Sequence, residues 1–135
     1  MPSALEDKDA IREVLAEYCF RLDGGRFAEM AALFAADGTW DTAFGKATGR
    51  AEIAALAGRI ATRAGPRPRG AHLVSNIVIK LAGDRALVAS NWALVQNSPS
   101  GPIVGSAGAY ADEMVRQDGR WLFHIRKIDR FIAAD

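Results

Sequence analysis

Residues 72–81, HLVSNIVIKL, decide the fold class because their side chains follow the two-residue period of a β-strand. The same period returns in residues 86–97, ALVASNWALVQN, and two further long apolar-rich segments occupy residues 103–117 and 120–132. Short turn signals separate these segments at residues 82–84, 98–102 and 118–119. The second half of the chain therefore predicts four consecutive antiparallel strands.

The first half of the chain predicts three helices with one early strand among them. Apolar residues in 5–22 are spaced three and four apart, and Ser3 with Glu6 forms a capping-box pattern before them. Gly24 and Gly25 end this helix. Residues 26–35 predict a short second helix, residues 39–41 a strand, and residues 49–63 a third helix. The arginine-containing segment RAGPRPRG, residues 63–70, predicts a solvated loop, with the rim of a pocket as the alternative.

The composition excludes several classes of protein. The chain has 135 residues, half of them hydrophobic, with 24% charged residues and a formal net charge of +1. This near-neutral balance argues against a nucleic-acid-binding protein, and no apolar run approaches the ~20 residues of a membrane span. One cysteine and two histidines exclude an internal disulfide and a cysteine-based zinc site. With no signal-peptide pattern at its start, the sequence predicts one cytoplasmic domain over residues 1–135.

The predicted order α-α-β-α-β-β-β-β indicates an α+β fold, in which helices gather on one face of an antiparallel sheet. Gly105 and Gly108 lie inside the third long strand, and interior glycines often mark bends or bulges. We therefore expect a strongly curved, cone-shaped sheet wrapped around the three helices. A cavity of that kind binds small, mostly apolar molecules.

Three stretches carry a resemblance to a known family: residues 11–41, residues 72–76 (HLVSN) and residues 110–128 (YADEMVRQDGRWLFHIRKI). The chain resembles the SnoaL-like branch of the nuclear transport factor two-like superfamily, whose members have a cystatin-like fold. Within that branch it is most similar to scytalone dehydratase-like and bile-acid dehydratase-like members. The resemblance covers about residues 5–130 and implies a cone-shaped α+β barrel.

The resemblance also implies catalytic residues. In these dehydratases and in the related dehydrochlorinases, an aspartate late in the first helix pairs with a histidine at the start of a long strand; Asp23 and His72 match these positions. Tyr18 matches a tyrosine of some bile-acid dehydratase-like members, and Arg126 matches an arginine of the dehydrochlorinases. Scytalone dehydratase-like enzymes carry a second histidine where this chain has Gln96 or a neighbour, so the substrate-specific residues do not match.

Each candidate also has an ordinary structural interpretation. His72 could serve as a general base oriented by Asp23, or it could bond a backbone carbonyl while Asp23 ends a helix. The buried hydroxyl of Tyr18 needs a partner, either a ligand or the backbone. Arg126, if it points inward, would stabilise an anion or hold a ligand carboxylate; otherwise it is a surface residue. Further candidates for the ligand-binding wall are Trp40, Phe44, Asn76, Trp92 and Tyr110, with Asn76 expected on the same strand face as His72.

The sequence and the resemblance together suggest a cofactor-independent lyase of the dehydratase type, acting on a small hydrophobic molecule, cyclic molecules included. The alternatives are an isomerase or polyketide-type cyclase with the same base, and a non-catalytic binding or assembly module. Neither a metal nor a nucleotide cofactor is expected, because no phosphate-binding glycine loop or ligand cluster is present. From the resemblance we expect a homodimer or homotrimer, with no nucleic-acid or membrane partner.

Overall fold

The computed structural model describes residues 1–66 and 70–134. Its elements follow the order α1 (Ala4–Asp23), α2 (Phe27–Ala31), β1 (Phe34–Thr42), β2 (Gly45–Thr48), α3 (Arg50–Ala64), β3 (Gly70–Ala82), β4 (Arg85–Ser98), β5 (Gly101–Gln117) and β6 (Arg120–Ala133). The six strands form one curved, unclosed sheet in the order β2-β1-β6-β5-β4-β3. Strands β3 to β6 are antiparallel neighbours, whereas β1 pairs with β6 in parallel. The expected α+β fold is confirmed.

Local sequence signals place both ends of the first helix. The Ser3 side chain accepts a hydrogen bond from the backbone N–H of Glu6, and the Glu6 carboxylate accepts one from the backbone N–H of Ser3. This capping box starts α1, and Gly24 follows its last residue. The buried side chains of α1, among them Ile11, Leu15 and Tyr18, pack into the core between the helices and the sheet. Across the described residues, no helix is long and apolar enough to cross a membrane.

The early strand region differs from the sequence prediction. The second helix ends at Ala31 rather than at residue 35, because Phe34 begins β1 and lies opposite Phe123 of β6. The strand expected at residues 39–41 spans Phe34–Thr42 and has a hairpin partner, β2, that the prediction lacked. Since β2 is only four residues long, it shows no period of its own and depends on pairing with β1. The observed order is therefore α-α-β-β-α-β-β-β-β.

Two irregularities change which side chains face the interior. In β3 the pairing with β4 shifts between Ser75 and Val78, and Asn76 adopts a positive φ of 56°. In the pairing of β5 with β6, Met114 lies opposite Phe123 and Glu113 opposite Ile125. Each shift moves the strand by one residue relative to its partner, so strict alternation of faces is lost at that point.

Candidate active site

Asp23 and His72 come together where the end of α1 packs against the start of β3. The Nδ1 atom of His72 lies 2.5 Å from Oδ1 of Asp23, and the backbone N–H of His72 donates to Oδ2 of Asp23 at 2.8 Å. Both side chains are largely shielded, with 19% of His72 and 17% of Asp23 exposed. Strand β3 is the last strand of the sheet, which leaves the backbone N–H of His72 available for this second bond. The carboxylate is therefore held at two points by the same residue.

This arrangement selects one tautomer of the histidine. An ionised carboxylate only accepts hydrogen bonds, so in a neutral imidazole bonded to it Nδ1 carries the proton. The lone pair then lies on Nε2, and none of the described residues is hydrogen-bonded to that atom. The pair thus presents a proton acceptor whose conjugate cation the Asp23 carboxylate would stabilise.

His72 lies in the wall of a cavity of about 620 Å³. That volume is in the range of small-molecule sites. The walls are mostly apolar and come from all three helices, β1 with the turn that follows it, and β3 to β6. Four of the five ligand-binding candidates lie in these walls: Trp40, Phe44, Trp92 and Tyr110. Gln96 and Ser106 add polar groups, with Gln96 in the region where the family's second histidine was expected.

An aromatic cluster forms one wall of the cavity and includes Tyr18. Trp40 Nε1 donates to the Tyr18 hydroxyl oxygen at 3.0 Å. Because an indole N–H is only a donor, this bond leaves the Tyr18 hydroxyl proton free to donate elsewhere. Burial raises the pKa of Tyr18 above its ordinary value, and the charge of Arg126 offsets only part of that rise. The phenol therefore remains a protonated hydrogen-bond donor at neutral pH.

Arg126 lies behind this wall and is not among the described residues that line the cavity. Its side chain is fully buried, and its guanidinium carbon lies 4.2 Å from the ring centroid of Tyr18, 3.4 Å from that of Tyr110 and 4.5 Å from that of Phe123. Arg126 has the inward orientation that the sequence analysis considered. Its guanidinium group contacts aromatic rings, however, whereas a ligand anion was the expected partner.

The partner of Arg126 is Asp112, a residue that the sequence analysis did not single out. Arg126 Nε lies 3.1 Å from Asp112 Oδ1, yet the two groups are not aligned for a hydrogen bond. Burial raises the pKa of Asp112 from 3.8 to about 6, against the opposing effect of the Arg126 charge. The one sequence signal for this pair was an acidic residue on the inner face of an otherwise apolar strand. That signal does not show which basic residue lies next to Asp112.

Asn76 does not occupy the expected place beside His72. It is exposed, and its side-chain amide donates to Asn91 Oδ1 on β4 at 3.0 Å. The shift in β3 explains the difference, because it turns Ile77 and Ile79 toward the interior and leaves Val78 57% exposed. The expectation that Asn76 shares a strand face with His72 was therefore wrong.

The segment 63–70 is described only in part. Arg63 and Ala64 complete α3 rather than belonging to a loop, and both line the cavity. The rest of the expected loop includes residues 67–69, which lie outside the described residues. Sequence reasoning also missed two other arginines of the cavity wall, Arg59 on α3 and Arg130 on β6. Among the described residues, no cluster of three histidine, cysteine, aspartate or glutamate side chains has metal-site geometry.

Comparisons with solved structures place the fold among known ones. An NTF2-like protein with a cystatin-like fold from Novosphingobium aromaticivorans is 26% identical, with a TM-score of 0.79 over 92% of this chain and 81% of the relative. A candidate scytalone dehydratase from the same organism is 25% identical, with a TM-score of 0.78 over 95% of this chain and 86% of the relative.

A third similar structure is the beta subunit of a candidate aromatic-ring-hydroxylating dioxygenase from Novosphingobium aromaticivorans. It has a TM-score of 0.81 over 97% of this chain and 93% of the relative. At 20% identity the likeness concerns the fold alone. No curated protein matches the sequence.

The sequence itself gives the family. Residues 3–127 match the SnoaL-like domain. This range contains both members of the Asp23–His72 pair and nearly all of the cavity wall. Since the match covers almost the whole chain, this protein belongs to the SnoaL-like domain family.

Proposed function

We propose that this protein is a cofactor-independent lyase that eliminates water from a small hydrophobic molecule, cyclic molecules included, with His72 as the general base. The observation that carries the proposal is the Asp23–His72 pair, with its 2.5 Å contact, in the wall of a 620 Å³ apolar cavity. A shielded imidazole with a fixed tautomer, next to space for a ligand, is the arrangement that proton abstraction from carbon requires. The similarity to a candidate scytalone dehydratase supports the same reaction class.

In the proposed reaction, His72 Nε2 removes a proton from the carbon next to a carbonyl group of the substrate. The electron pair of the broken C–H bond forms a carbon–carbon double bond, and the C–O bond to the hydroxyl group on the neighbouring carbon breaks. Tyr18 donates a hydrogen bond to an oxygen of the substrate, either the carbonyl or the departing hydroxyl. The proton held by the imidazolium completes the water that leaves, and the base is regenerated.

Asp23 has two roles in this proposal. Its carboxylate keeps the proton of neutral His72 on Nδ1 and stabilises the imidazolium that forms during the reaction. In Asp23→Asn the single amide oxygen is needed by the backbone N–H of His72, which leaves the amide NH₂ group facing Nδ1. The tautomer would then be reversed, with the proton on Nε2, and the base would be lost although the histidine is intact.

The test uses a panel of cyclic ketones that carry a hydroxyl group two carbons from the carbonyl. The protein is incubated with each ketone in D₂O, and mass spectrometry follows both deuterium uptake beside the carbonyl and loss of water. We expect His72→Gln to lower the rate by about 10²–10⁴-fold, and Asp23→Asn to lower it nearly as much. Nitrogen-15 NMR of His72 should show the reversed tautomer in Asp23→Asn.

The matched control is His124→Gln, because His124 is the only other histidine and is not among the described residues of the cavity wall. We expect this variant to retain the wild-type rate. Equal rates for wild type and His72→Gln on a ketone that the protein converts would refute the mechanism. Deuterium uptake without loss of water would show proton abstraction without elimination. An isomerised product would then identify an isomerase, and a ring-closed product a polyketide-type cyclase, both of which begin with the same proton abstraction.

A second candidate function is a non-catalytic subunit of a larger assembly. It is favoured by apolar side chains exposed on the outer face of the sheet, of which Leu73, Val78 and Leu87 are each more than half exposed. Light scattering on the purified protein would distinguish a homodimer or homotrimer from a monomer whose exposed apolar face is available to bind a different protein chain. Wild-type deuterium uptake on the ketone panel would argue against a purely structural role.

A further inference from the structure

The charged side chains in the wall of the cavity are almost all cationic. Arg59, Arg63 and Arg130 belong to this wall, and among the described residues Asp23 is the only one that adds a carboxylate to it. Asp23 is already engaged twice by His72. All three arginines are exposed, whereas most aromatic side chains of the wall are buried: Tyr18, Trp40, Trp92 and Tyr110. The cavity therefore combines an apolar interior with a cationic outer part.

These arginines come from two elements of the fold. Arg59 and Arg63 are four residues apart on α3, so they lie one helical turn apart on the same face. Arg130 lies near the end of β6, with its guanidinium carbon 5.0 Å from the ring centroid of Phe44, another wall residue. A ligand inside the cavity would thus meet guanidinium groups on both α3 and β6.

Exposed arginines are ordinarily solvated, so their surroundings decide the interpretation. Some exposed or half-buried arginines of the described chain pair with carboxylates, as Arg21, Arg26 and Arg116 do. Others on the open surface, such as Arg12 and Arg85, have no such partner among the described residues. Among the described residues, no carboxylate lies within ion-pair distance of Arg59, Arg63 or Arg130. Three arginines without carboxylate partners among the described residues therefore line the same apolar cavity.

We propose that Arg59, Arg63 and Arg130 form an anion-binding rim, so that the substrate of the proposed reaction is amphipathic, with an apolar ring system and an anionic group. That the bound molecule is a substrate rests on the proposed function, whereas the preference of the rim for anionic ligands does not depend on it. The ring system occupies the aromatic interior near His72, and the anionic group contacts the guanidinium groups of the rim. Guanidinium groups suit this role because their planar N–H donors match carboxylate, sulfate and phosphate oxygens.

The physical signature of such a rim is a salt-dependent preference for charged ligands. An exposed ion pair contributes on the order of a twofold to fivefold change in affinity, so three arginines together give about tenfold. Dissolved salt weakens the attraction between exposed charges over a distance, the Debye length, that is about 10 Å at 0.1 M ionic strength and becomes shorter as salt is added. The preference should therefore be largest in dilute buffer and shrink as salt is added, while the affinity for an uncharged ligand of the same shape stays constant.

The experiment compares 2-naphthoate with its methyl ester, which keep the same ring system but differ in charge. Isothermal titration calorimetry gives the affinity of wild type for each probe in dilute buffer and in 0.5 M salt. We expect wild type to bind 2-naphthoate about tenfold more tightly than the ester in dilute buffer, and the ratio to approach one at high salt. Naphthyl sulfate and naphthyl phosphate, measured in parallel, show which anionic group the rim prefers.

The decisive variant is the triple substitution Arg59→Gln, Arg63→Gln and Arg130→Gln. We expect it to bind both probes equally, with the affinity for the ester unchanged. The matched control is Arg12→Gln with Arg85→Gln, which removes two exposed arginines that are not among the described residues of the cavity wall and should leave the preference intact. Circular dichroism verifies that both proteins fold, as substitutions at exposed positions should permit.

The outcomes separate this inference from the proposed function. Equal affinity of wild type for the two probes would overturn the rim, even if the ketones are still dehydrated. A preference for 2-naphthoate that persists in His72→Gln, together with no effect of that variant on turnover, would support the rim and overturn the mechanism. If neither probe binds wild type at millimolar concentration, the amphipathic ligand is refuted, and the deuterium-uptake experiment alone judges the reaction.

Discussion

The buried pair of Arg126 and Asp112 predicts an unusual dependence of stability on pH. Burial of the Asp112 carboxyl group raises its pKa from 3.8 to about 6, and the opposing attraction of Arg126 is the smaller effect. Between these two pH values the folded protein holds a proton on Asp112 that the unfolded chain has lost. The free energy of unfolding must then decrease as the pH rises from about 4 to about 6.

The magnitude follows from the same two pKa values. At about 1.36 kcal/mol per pH unit, a rise from 3.8 to about 6 on folding corresponds to about 3 kcal/mol. About 2 kcal/mol of this falls between pH 4.5 and 7.5, where the folded protein can be measured conveniently. Asp112→Asn is neutral at every pH and has nearly the same shape, so it removes this contribution while leaving other titrating groups in place.

The assay is urea unfolding of wild type and Asp112→Asn at pH 4.5, 6 and 7.5. We expect the stability of wild type relative to the variant to fall by about 2 kcal/mol over this range. Asp9→Asn serves as a control, because Asp9 is exposed on α1 and its removal should leave the wild-type profile unchanged. Parallel profiles for wild type and Asp112→Asn would refute the reasoning. A profile of opposite slope would show that the attraction of Arg126 outweighs the cost of burying the carboxylate.

Two further predictions concern the packing around the site. A Cβ atom at Gly108 would lie 1.8 Å from the backbone oxygen of Asp129, so Gly108→Ala should destabilise the fold by at least about 3 kcal/mol in urea unfolding. Gly58→Ala, at a helical position with no atom within 4 Å, should be neutral or stabilising, and equal effects of the two changes would contradict this. Tyr18→Phe should cost about 1–3 kcal/mol because it leaves the buried N–H of Trp40 without its acceptor. A cost below about 0.5 kcal/mol would mean that this N–H finds another partner.

Much of the fold could be predicted from the sequence because its signals are local. The two-residue period of residues 86–97 follows from side chains that alternate between the core and the outer face along most of β4. Likewise, the capping box of Ser3 and Glu6 needs only four consecutive residues. Strand β2 could not be predicted in this way, because four residues carry too little pattern and their pairing with β1 supplies the stability.

The candidate site was only partly accessible from the sequence. Asp23 and His72 are separated by 49 positions. Their residue types alone are also those of an ordinary helix end and an ordinary strand end, so they do not identify a catalytic pair. The resemblance to a family suggested the pair, and the packing of α1 on β3 brings the two side chains within hydrogen-bond distance. The contact between these two residues depends on how α1 packs against the assembled sheet, and the local sequence of neither α1 nor β3 determines it.

The bulges were decided by the tertiary structure alone. Counting by twos from His72 places Asn76 in the cavity, but the shift in the pairing of β3 with β4 moves it to the surface. The shift between β5 and β6 similarly leaves both Phe123 and Arg126 buried, where alternation would separate them. The sequence by itself determines most of the elements and the apolar face of each until a bulge interrupts it. Which side chains of a strand face the interior depends on its hydrogen-bonded register with the neighbouring strand. This register places Arg126 against Tyr110 and Asp112.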